Sequence, residues 1–326
     1  MVVTDRARMV CQVTGDLHDA GGGGTSPWDV YGTDLGHVFE HQGRYWMVFG
    51  DTFGPDKGHW RSNAIAEVSI GADSVRVVDM LSDRRGSARE LLGSRKGPGE
   101  VTVIPTGAVS TGSAMVLHYM SVREWAGPVG CTANYSGLAH SNDGGTHWSR
   151  PRRSRWPGDS NFVQVAFVLE GGVDQRGPGG ADAQMLHVYG IPVGRMGGGA
   201  LARVPRDRAY EVSAWEYWDG GRWVGDHRAA KVVLDGPVGE LSVAWSPHLG
   251  RWITMYLDER RRAVVLREAD DLRGPWGTAQ VVVSADEQPS LYAPYLLPVG
   301  NESSIVRFML SRFDIYNVFL FELALG

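Results

Sequence analysis

The chain has 326 residues, of which 43% are hydrophobic, and a formal net charge of −5. This hydrophobic content is enough for a large core and excludes extensive disorder, and the mild acidity argues against a general nucleic-acid-binding protein. No apolar stretch approaches the ~18 residues of a membrane-spanning helix. Residues 1–15 lack the apolar core of a secretory signal, which leaves export by another route, a phage-associated role and a cytoplasmic location open.

Glycine and cysteine usage narrow the class further. Glycine accounts for 44 residues but has no three-residue period, which excludes a collagen-like protein. The two cysteines, Cys11 and Cys131, are too few for a disulfide framework or a cysteine-based metal site, and their pairing stays open. The histidines show no metal-ligand spacing. We therefore expect no metal and no cofactor.

In chain order, the apolar stretches are short, rich in Val, Tyr, Phe and Trp, and bounded by Gly, Pro, Asp or Ser, which predicts β-strands. Similar triplets of such stretches occur five times. The middle members are YWMVFGDTF from Tyr45, AMVLHYMSV from Ala114, QMLHVYGIP from Gln184, RWITMYLDE from Arg251 and SIVRFMLSR from Ser304.

Five repeats of three or four strands predict a single-domain, all-β, five-bladed β-propeller. The expected blades span 29–80, 98–150, 159–225, 230–283 and 289–326, and an N-terminal strand at 8–14 is expected to close the ring beside the last blade. A β-sandwich whose strands resemble one another by chance is the alternative.

Residues 141–148 (SNDGGTHW) fit the pattern S-x-D-x-G-x-x-W, the Asp-box of sialidases and other propellers. The Asp and Ser can bind turn amides, and the glycines permit a positive φ in a tight hairpin. This motif supports the fold and carries no information about function.

Candidate functional residues lie where the first strand of each repeat begins and the second strand ends. If the first strand is innermost, these ends meet at one rim of the ring. The candidates near this rim are Asp34, Glu100, Asn161 or Gln164, Glu240 and Tyr292 from the first strands, and Asp51, Ser121, Arg195, Asp258 and Arg312 from the second strands. Carboxyl groups in an open cleft suit glycoside hydrolysis, in which a protonated acid reaches the glycosidic oxygen and an ionised carboxylate activates water or attacks carbon.

Asp34 and Asp51 are the strongest pair because they lie on adjacent strands of one blade. Adjacent strands are ~4.8 Å apart, so a carboxyl separation of ~5–9 Å is feasible, which spans retaining and inverting geometry. Structural roles are the alternative for both: Asp34 could cap a turn, and Asp51 could bind a nearby threonine or loop amide. The other polar residues at the rim could equally anchor amides or bridge blades.

Several segments, in order along nearly the whole chain, resemble the actinobacterial endo-D-arabinanases, a glycoside hydrolase family first catalogued as a domain of unknown function. These segments are GTDLG at 32–36, FGDTF at 49–53, WRSNAIA at 60–66, EVTVIPTGA at 100–108, the Asp-box, GELSVAW at 239–245, LYAPY at 291–295 and SRFDIYNVFL at 311–320.

The resemblance implies a five-bladed propeller that cleaves α-D-arabinofuranosyl chains internally, as found in mycobacterial arabinogalactan and lipoarabinomannan. It implies an inverting reaction with a catalytic pair at Asp34 and Asp51; by analogy with other five-bladed glycosidases, Asp34 would be the base and Asp51 the acid. We expect a monomer whose partner is the polysaccharide. The residues expected to bind sugar hydroxyls are Asn63, Glu100, Gln164, Arg195, Glu240 and Tyr292.

Two other functions remain open at this point. A sialidase-like exo-glycosidase fits the Asp-box but needs an arginine cluster that the sequence does not offer. A non-catalytic carbohydrate-binding propeller fits the fold and the aromatic content, but it does not need two aspartates at the rim.

Overall fold

The structure is a computed structural model that describes residues 6–17, 24–127, 130–169, 185–300 and 303–326. These residues form five antiparallel sheets and almost no helix, which confirms the predicted all-β, five-bladed propeller of a single domain and excludes the β-sandwich.

The sheets follow one another in chain order, and each first strand lies at the inner edge of its blade. The first blade contains β2 (Gly32–His41), β3 (Arg44–Phe53), β4 (Ala64–Ile70) and β5 (Val75–Met80). The second contains β6 (Thr102–Ser110), β7 (Met115–Trp125), β8 (Cys131–Ser141) and β9 (Arg155–Pro157). The third contains β10 (Gln164–Phe167), β11 (Met185–Ile191), β12 (Gly199–Pro205), β13 (Glu216–Trp218), β14 (Trp223–Val224) and β15 (Val232–Leu234). The fourth contains β16 (Leu241–Ser246), β17 (Arg251–Asp258), β18 (Ala263–Ala269) and β19 (Gln280–Ser284), and the fifth contains β20 (Leu291–Leu296), β21 (Ile305–Arg312), β22 (Asn317–Ala324) and β1 (Arg8–Gln12).

The N-terminal strand is the outer strand of the last blade. β1 pairs antiparallel with β22, with Arg8 opposite Glu322. The Arg8 guanidinium donates to the Glu322 carboxylate at 2.6 Å. One blade is therefore built from both ends of the described chain, which closes the ring.

The third blade departs from the expected boundaries. β13 pairs only with Ala202 and Arg203 of β12, so the Gly199–Ala200 end of that strand stays open on this side. β15 pairs there instead, with Gly199 opposite Leu234. The expected boundaries put β15 in the fourth blade, but β15 pairs with the free edge of β12 and therefore belongs to the third blade.

The innermost strands are buried along most of their length because each packs between neighbouring blades. β20 is buried at every position, and β2 at eight of its ten. Buried polar side chains on these strands need hydrogen-bond partners or a function, and Asp34 on β2 is one of them.

The Asp-box forms the hairpin between β8 and β9. Asp143 accepts a hydrogen bond from the His147 amide at 2.9 Å, and Gly145 donates its amide to the Ser141 hydroxyl, also at 2.9 Å. Gly144 and Gly145 have φ of 67° and 86°, a conformation that glycine adopts without strain. The hairpin lies on the outer side of its blade.

Helix is limited to short 3₁₀ turns in the described parts of the chain, at Ser26–Trp28, Pro55–Lys57, Arg206–Arg208, Val212–Ala214 and His227–Ala229. Among those residues, no helix has the length and apolar character needed to cross a membrane.

Candidate active site

A cleft of about 1110 Å³ opens on the face where the first strands begin and the second strands end. All five blades contribute lining residues, as expected for the mouth of a propeller channel. Six of the residues singled out from the sequence line it: Asp34, Asp51, Gln164, Arg195, Glu240 and Tyr292.

An irregularity in the β2–β3 ladder brings the two aspartates together. Thr33 lies opposite Thr52, and the next pair is Leu35 and Phe49, so Asp34 faces two residues, Gly50 and Asp51. Such a bulge re-aims side chains and is common beside active sites. Both carboxyl groups are directed into the cleft as a result.

Two features fix this bulge. Leu35 has φ of 71°, an unfavourable conformation for a residue with a side chain, and its amide donates to the Ser311 hydroxyl of the fifth blade at 2.9 Å. Gly50 leaves room for the Asp34 carboxyl, because a Cβ at this position would collide with Asp34 Oδ1. The hydrogen bond from Leu35 to Ser311 fixes the backbone beside Asp34, and the absence of a side chain at Gly50 leaves space for the Asp34 carboxyl.

Asp34 lies in a buried and largely aromatic environment. The Tyr292 hydroxyl donates to Asp34 Oδ2 at 2.9 Å, and Tyr316 also hydrogen-bonds this carboxyl. The other oxygen, Oδ1, is buried and has no hydrogen-bond partner. Burial, followed by the charge of Asp51, raises the pKa of Asp34 to about 7, although both tyrosine hydrogen bonds oppose the shift.

Asp51 is also buried but has more donors. Thr102 and the Trp60 indole N–H both donate to its Oδ1, at 2.6 and 2.9 Å. Burial raises the pKa of Asp51 to about 6, while these hydrogen bonds and the nearby charge of Lys96 limit the rise. The two carboxyls therefore differ in their surroundings: two donors stabilise one oxygen of the Asp51 anion, whereas Asp34 Oδ1 has no donor.

A charged cluster lies beside this pair. Arg195 donates to Glu240 at 2.8 and 3.0 Å and to Glu259 at 3.0 Å. Burial alone would lower the pKa of Arg195, but the two carboxylates outweigh it and raise the pKa. The guanidinium carbon lies 5.4 Å from the centre of the Tyr292 ring, so the cluster also supports the tyrosine that binds Asp34.

Two of the expected sugar-binding residues do not line the cleft. Asn63 is fully buried, donates to the carbonyls of Leu92 and Val103, and accepts from the amides of Leu91 and Leu92. All of its hydrogen-bonding capacity serves the backbone. These contacts give Asn63 a structural role and leave none of its polar atoms for a sugar hydroxyl.

Glu100 is the second of these two residues. Its carboxylate accepts from the Ser121 hydroxyl at 2.7 Å and from the Arg95 amide at 3.1 Å, and it lies outside the cleft lining. Glu100 precedes β6 rather than beginning it, so it anchors the entry to the second blade. This is the structural role that the sequence left open for it.

Gln164, in contrast, begins β10 and lines the cleft, where its amide donates to the Gly194 carbonyl at 2.9 Å.

The sequence analysis did not identify five other residues that build the site: Tyr316, Thr102, Trp60, Glu259 and Ser311. Tyr316 lies in the β21–β22 hairpin with φ of 51°, where no strand periodicity points to it. Its only signal is its place within the SRFDIYNVFL segment.

The described residues contain no group of three or more His, Cys, Asp or Glu side chains arranged to hold a metal ion. Cys11 and Cys131 are both free thiols. The cleft itself offers a carboxyl pair, tyrosines and a charged cluster.

A family model described as a domain of unknown function (DUF4185) matches residues 21–322. The chain belongs to this family. Two curated fungal proteins are similar to this DUF4185 protein. Notoamide biosynthesis cluster protein J of Aspergillus sp. (strain MF297-2) is 30% identical, with 83% of this chain and 76% of that protein covered. Notoamide biosynthesis cluster protein J' of Aspergillus versicolor is 27% identical, with 83% and 77% covered.

Solved structures share the propeller of this DUF4185 protein. A putative hydrolase from Bacteroides ovatus has a TM-score of 0.61 at 14% identity, covering 91% of this chain and 87% of that one. An exo-β-1,3-galactanase from Phanerochaete chrysosporium has a TM-score of 0.59 at 11% identity, covering 97% and 64%. The α-L-arabinofuranosidase PaAbf62A from Podospora anserina has a TM-score of 0.51 at 10% identity, covering 99% and 97%. At these identities the likeness concerns the fold.

Proposed function

We propose that the protein is a glycoside hydrolase that cleaves internal α-D-arabinofuranosyl linkages in arabinan polysaccharides such as mycobacterial arabinogalactan and lipoarabinomannan. One observation carries the hydrolase part: Asp34 and Asp51, both buried and both with raised pKa values, face one open cleft. The arabinan part rests on the segments that resemble endo-D-arabinanases. The glycosidases that share the propeller fold agree with the hydrolase part.

The proposed reaction uses water as the second substrate. One carboxylic acid donates its proton to the glycosidic oxygen as the bond from that oxygen to the anomeric carbon breaks. The other carboxylate takes a proton from water as the water oxygen bonds to the same carbon. Each aspartate ends in the opposite protonation state, and exchange with solvent restores the pair. This route inverts the anomeric configuration.

The surroundings of the two carboxyls bear on which aspartate is the acid. Analogy with other propeller glycosidases makes Asp51 the acid and Asp34 the base. In the free protein, however, Asp34 Oδ1 is buried without a hydrogen-bond partner, and burial together with the charge of Asp51 raises the pKa of Asp34, so this carboxyl favours its protonated form. Asp51, with two hydrogen-bond donors and Lys96 nearby, is the better-stabilised anion. These observations favour the reverse assignment, with Asp34 as acid and Asp51 as base.

Incubation with purified mycobacterial arabinogalactan tests the activity. Early release of oligosaccharides supports endo cleavage, monosaccharide alone points to exo action, and binding without products would refute the hydrolase function. The first anomer that NMR detects distinguishes inversion from retention. Asp34→Asn and Asp51→Asn should both abolish turnover of the polymer, whereas Asp83→Asn, at an exposed turn, should not.

Activated substrates then separate the two roles. An aryl arabinofuranoside with a good leaving group needs little protonation, so the variant that lacks the acid keeps more of its activity on this substrate than the variant that lacks the base. Greater retention by Asp34→Asn supports the reversed assignment. Greater retention by Asp51→Asn would restore the assignment by analogy.

A second candidate is an enzyme or binding protein for an aromatic small molecule. Tyr31, Phe53, Trp125, Phe313 and Tyr316 contribute rings to the cleft wall, and the relatives named after a notoamide biosynthesis cluster are consistent with a small-molecule ligand. Thermal-shift screening of aromatic small molecules beside arabinan oligosaccharides discriminates between the candidates. Stabilisation by aromatic compounds alone would favour this second function.

A further inference from the structure

Aromatic residues occupy equivalent positions in three of the five blades. The second strand of each blade ends at the cleft face. β3 ends at Phe53, β7 ends at Trp125, and Phe313 directly follows the end of β21. All three rings line the cleft. The corresponding strands of the third and fourth blades, β11 and β17, end at Ile191 and Asp258, so the aromatic residues are confined to one side of the ring.

These three blades are consecutive around the propeller. The inner strand β2 of the first blade contacts β6 of the second and β20 of the fifth. The first blade, which carries Asp34 and Asp51, therefore lies between the other two. Phe313 and Trp125 flank the carboxyl pair on opposite sides, and Phe53 lies two residues beyond Asp51 on the same face of β3.

The two outer rings are unusually open to solvent. Phe313 is 69% exposed and Trp125 is 50% exposed. Neither exposure serves the packing of its blade, and large exposed apolar side chains beside a cleft are typical of ligand-binding sites. Tyr316 connects one outer ring with the centre, since its ring centre lies 6.0 Å from that of Phe313 and 5.6 Å from that of Phe53.

The polar residues of the same cleft indicate what kind of ligand would lie on these rings. Charged and amide groups such as Arg195, Glu259 and Gln164 line the cleft together with the aromatic side chains. A sugar ring presents apolar C–H faces and hydroxyl edges, so it can stack on an aromatic face while its hydroxyls reach polar groups. A purely apolar ligand could stack on the rings but would make no use of these polar groups.

We infer that Phe313, Phe53 and Trp125 form an aromatic track that binds successive sugar rings of an extended polysaccharide on both sides of the cleaved bond. This inference rests on the proposed hydrolase function and specifies how that site would hold a long substrate. The substrate crosses the first blade, with its scissile linkage at Asp34 and Asp51 and its two arms on the fifth and second blades.

The test compares Phe313→Ala and Trp125→Ala with the wild type on arabinan oligosaccharides of increasing length and on the polymer. The loss in kcat/KM should grow with chain length and reach roughly three- to tenfold on the polymer for each variant. End-labelled oligosaccharides should be cut at displaced positions, in opposite directions for the two variants. Phe313→Tyr should restore most of the loss, and Val78→Ala, at an exposed position on the outer strand β5, should match the wild type.

A binding measurement separates the track from the hydrolase function. Calorimetry with the longest oligosaccharide, performed in the Asp51→Asn background, should show weaker binding for both alanine variants. If the wild type cleaves but the losses do not depend on chain length, the track is refuted. If the wild type binds without cleaving and both variants weaken binding, the hydrolase function fails and the track stands. If the oligosaccharides do not bind at all, both are refuted.

Discussion

Replacing Asp34 with asparagine should change how the stability of the protein depends on pH. Burial raises the pKa of Asp34 from 3.8 to about 7. Between about pH 4 and 7 the folded protein therefore holds a proton that the unfolded chain has released, so the wild type loses stability as pH rises through this range. A difference of about three pKa units corresponds to about 4 kcal/mol.

The substitution removes this pH-dependent loss but introduces a cost of its own. The amide of Asp34→Asn can keep its oxygen towards Tyr292, which places its NH₂ where Oδ1 has no partner. The protonated carboxyl of the wild type has one O–H donor there, whereas the amide has two N–H donors, so the variant buries one further unsatisfied donor at a cost of about 1–3 kcal/mol. The variant should thus be less stable than the wild type by about 1–3 kcal/mol at pH 4, and more stable by a similar amount at pH 8.

Urea denaturation at each pH unit from 4 to 8, followed by tryptophan fluorescence, measures this difference directly and needs no substrate. Asp219→Asn is the control, because amide hydrogen bonds from Arg222 and Gly221 lower the pKa of that exposed carboxyl and move its titration below the range. A difference between Asp34→Asn and the wild type that stays constant across pH 4–8 would refute the assignment of a buried, proton-holding Asp34.

Three further substitutions test the surroundings of the site. Tyr292→Phe removes a hydrogen bond that favours the ionised form of Asp34, so ¹³C NMR should show the pKa of that carboxyl rising by about one to two units. Tyr295→Phe, on the same strand, should leave it nearly unchanged. Gly50→Ala should displace the Asp34 carboxyl and lower kcat on the polysaccharide by up to about a hundredfold with a smaller effect on KM; wild-type kcat would contradict this steric argument. Asn63→Ala should lower the unfolding free energy by about 3–5 kcal/mol while folded molecules keep their kcat, and a selective loss of kcat would contradict its structural role.

Strand order in the sequence was sufficient to predict that Asp34 and Asp51 share one rim of the ring. Asp34 lies near the start of a first strand and Asp51 near the end of a second strand, and both line the cleft. The bulge that makes them face each other was not predictable, because one extra residue between Phe49 and Thr52 on β3 does not disturb the apolar pattern of either strand.

The sequence does not reveal where polar side chains serve the backbone. Asn63 was expected to bind sugar hydroxyls, yet it binds the segment at Leu91–Leu92, about thirty residues away. Tyr316 is a site residue that the sequence analysis did not identify. It lies in a turn of the fifth blade and hydrogen-bonds the Asp34 carboxyl of the first blade. Both contacts depend on how blades and loops meet, and no local period in the sequence encodes that arrangement.

The pairing of β1 with β22 determines when the last blade can finish folding. Arg8 of β1 and Glu322 of β22, which lie opposite each other, are separated by 314 positions in the chain. During synthesis β1 emerges long before β22, so its edge stays unpaired until β22 has left the ribosome. Contacts of such long range slow folding. Once this pairing is made, the last blade cannot detach from the ring without also releasing β1, which couples β1 and β22 in unfolding.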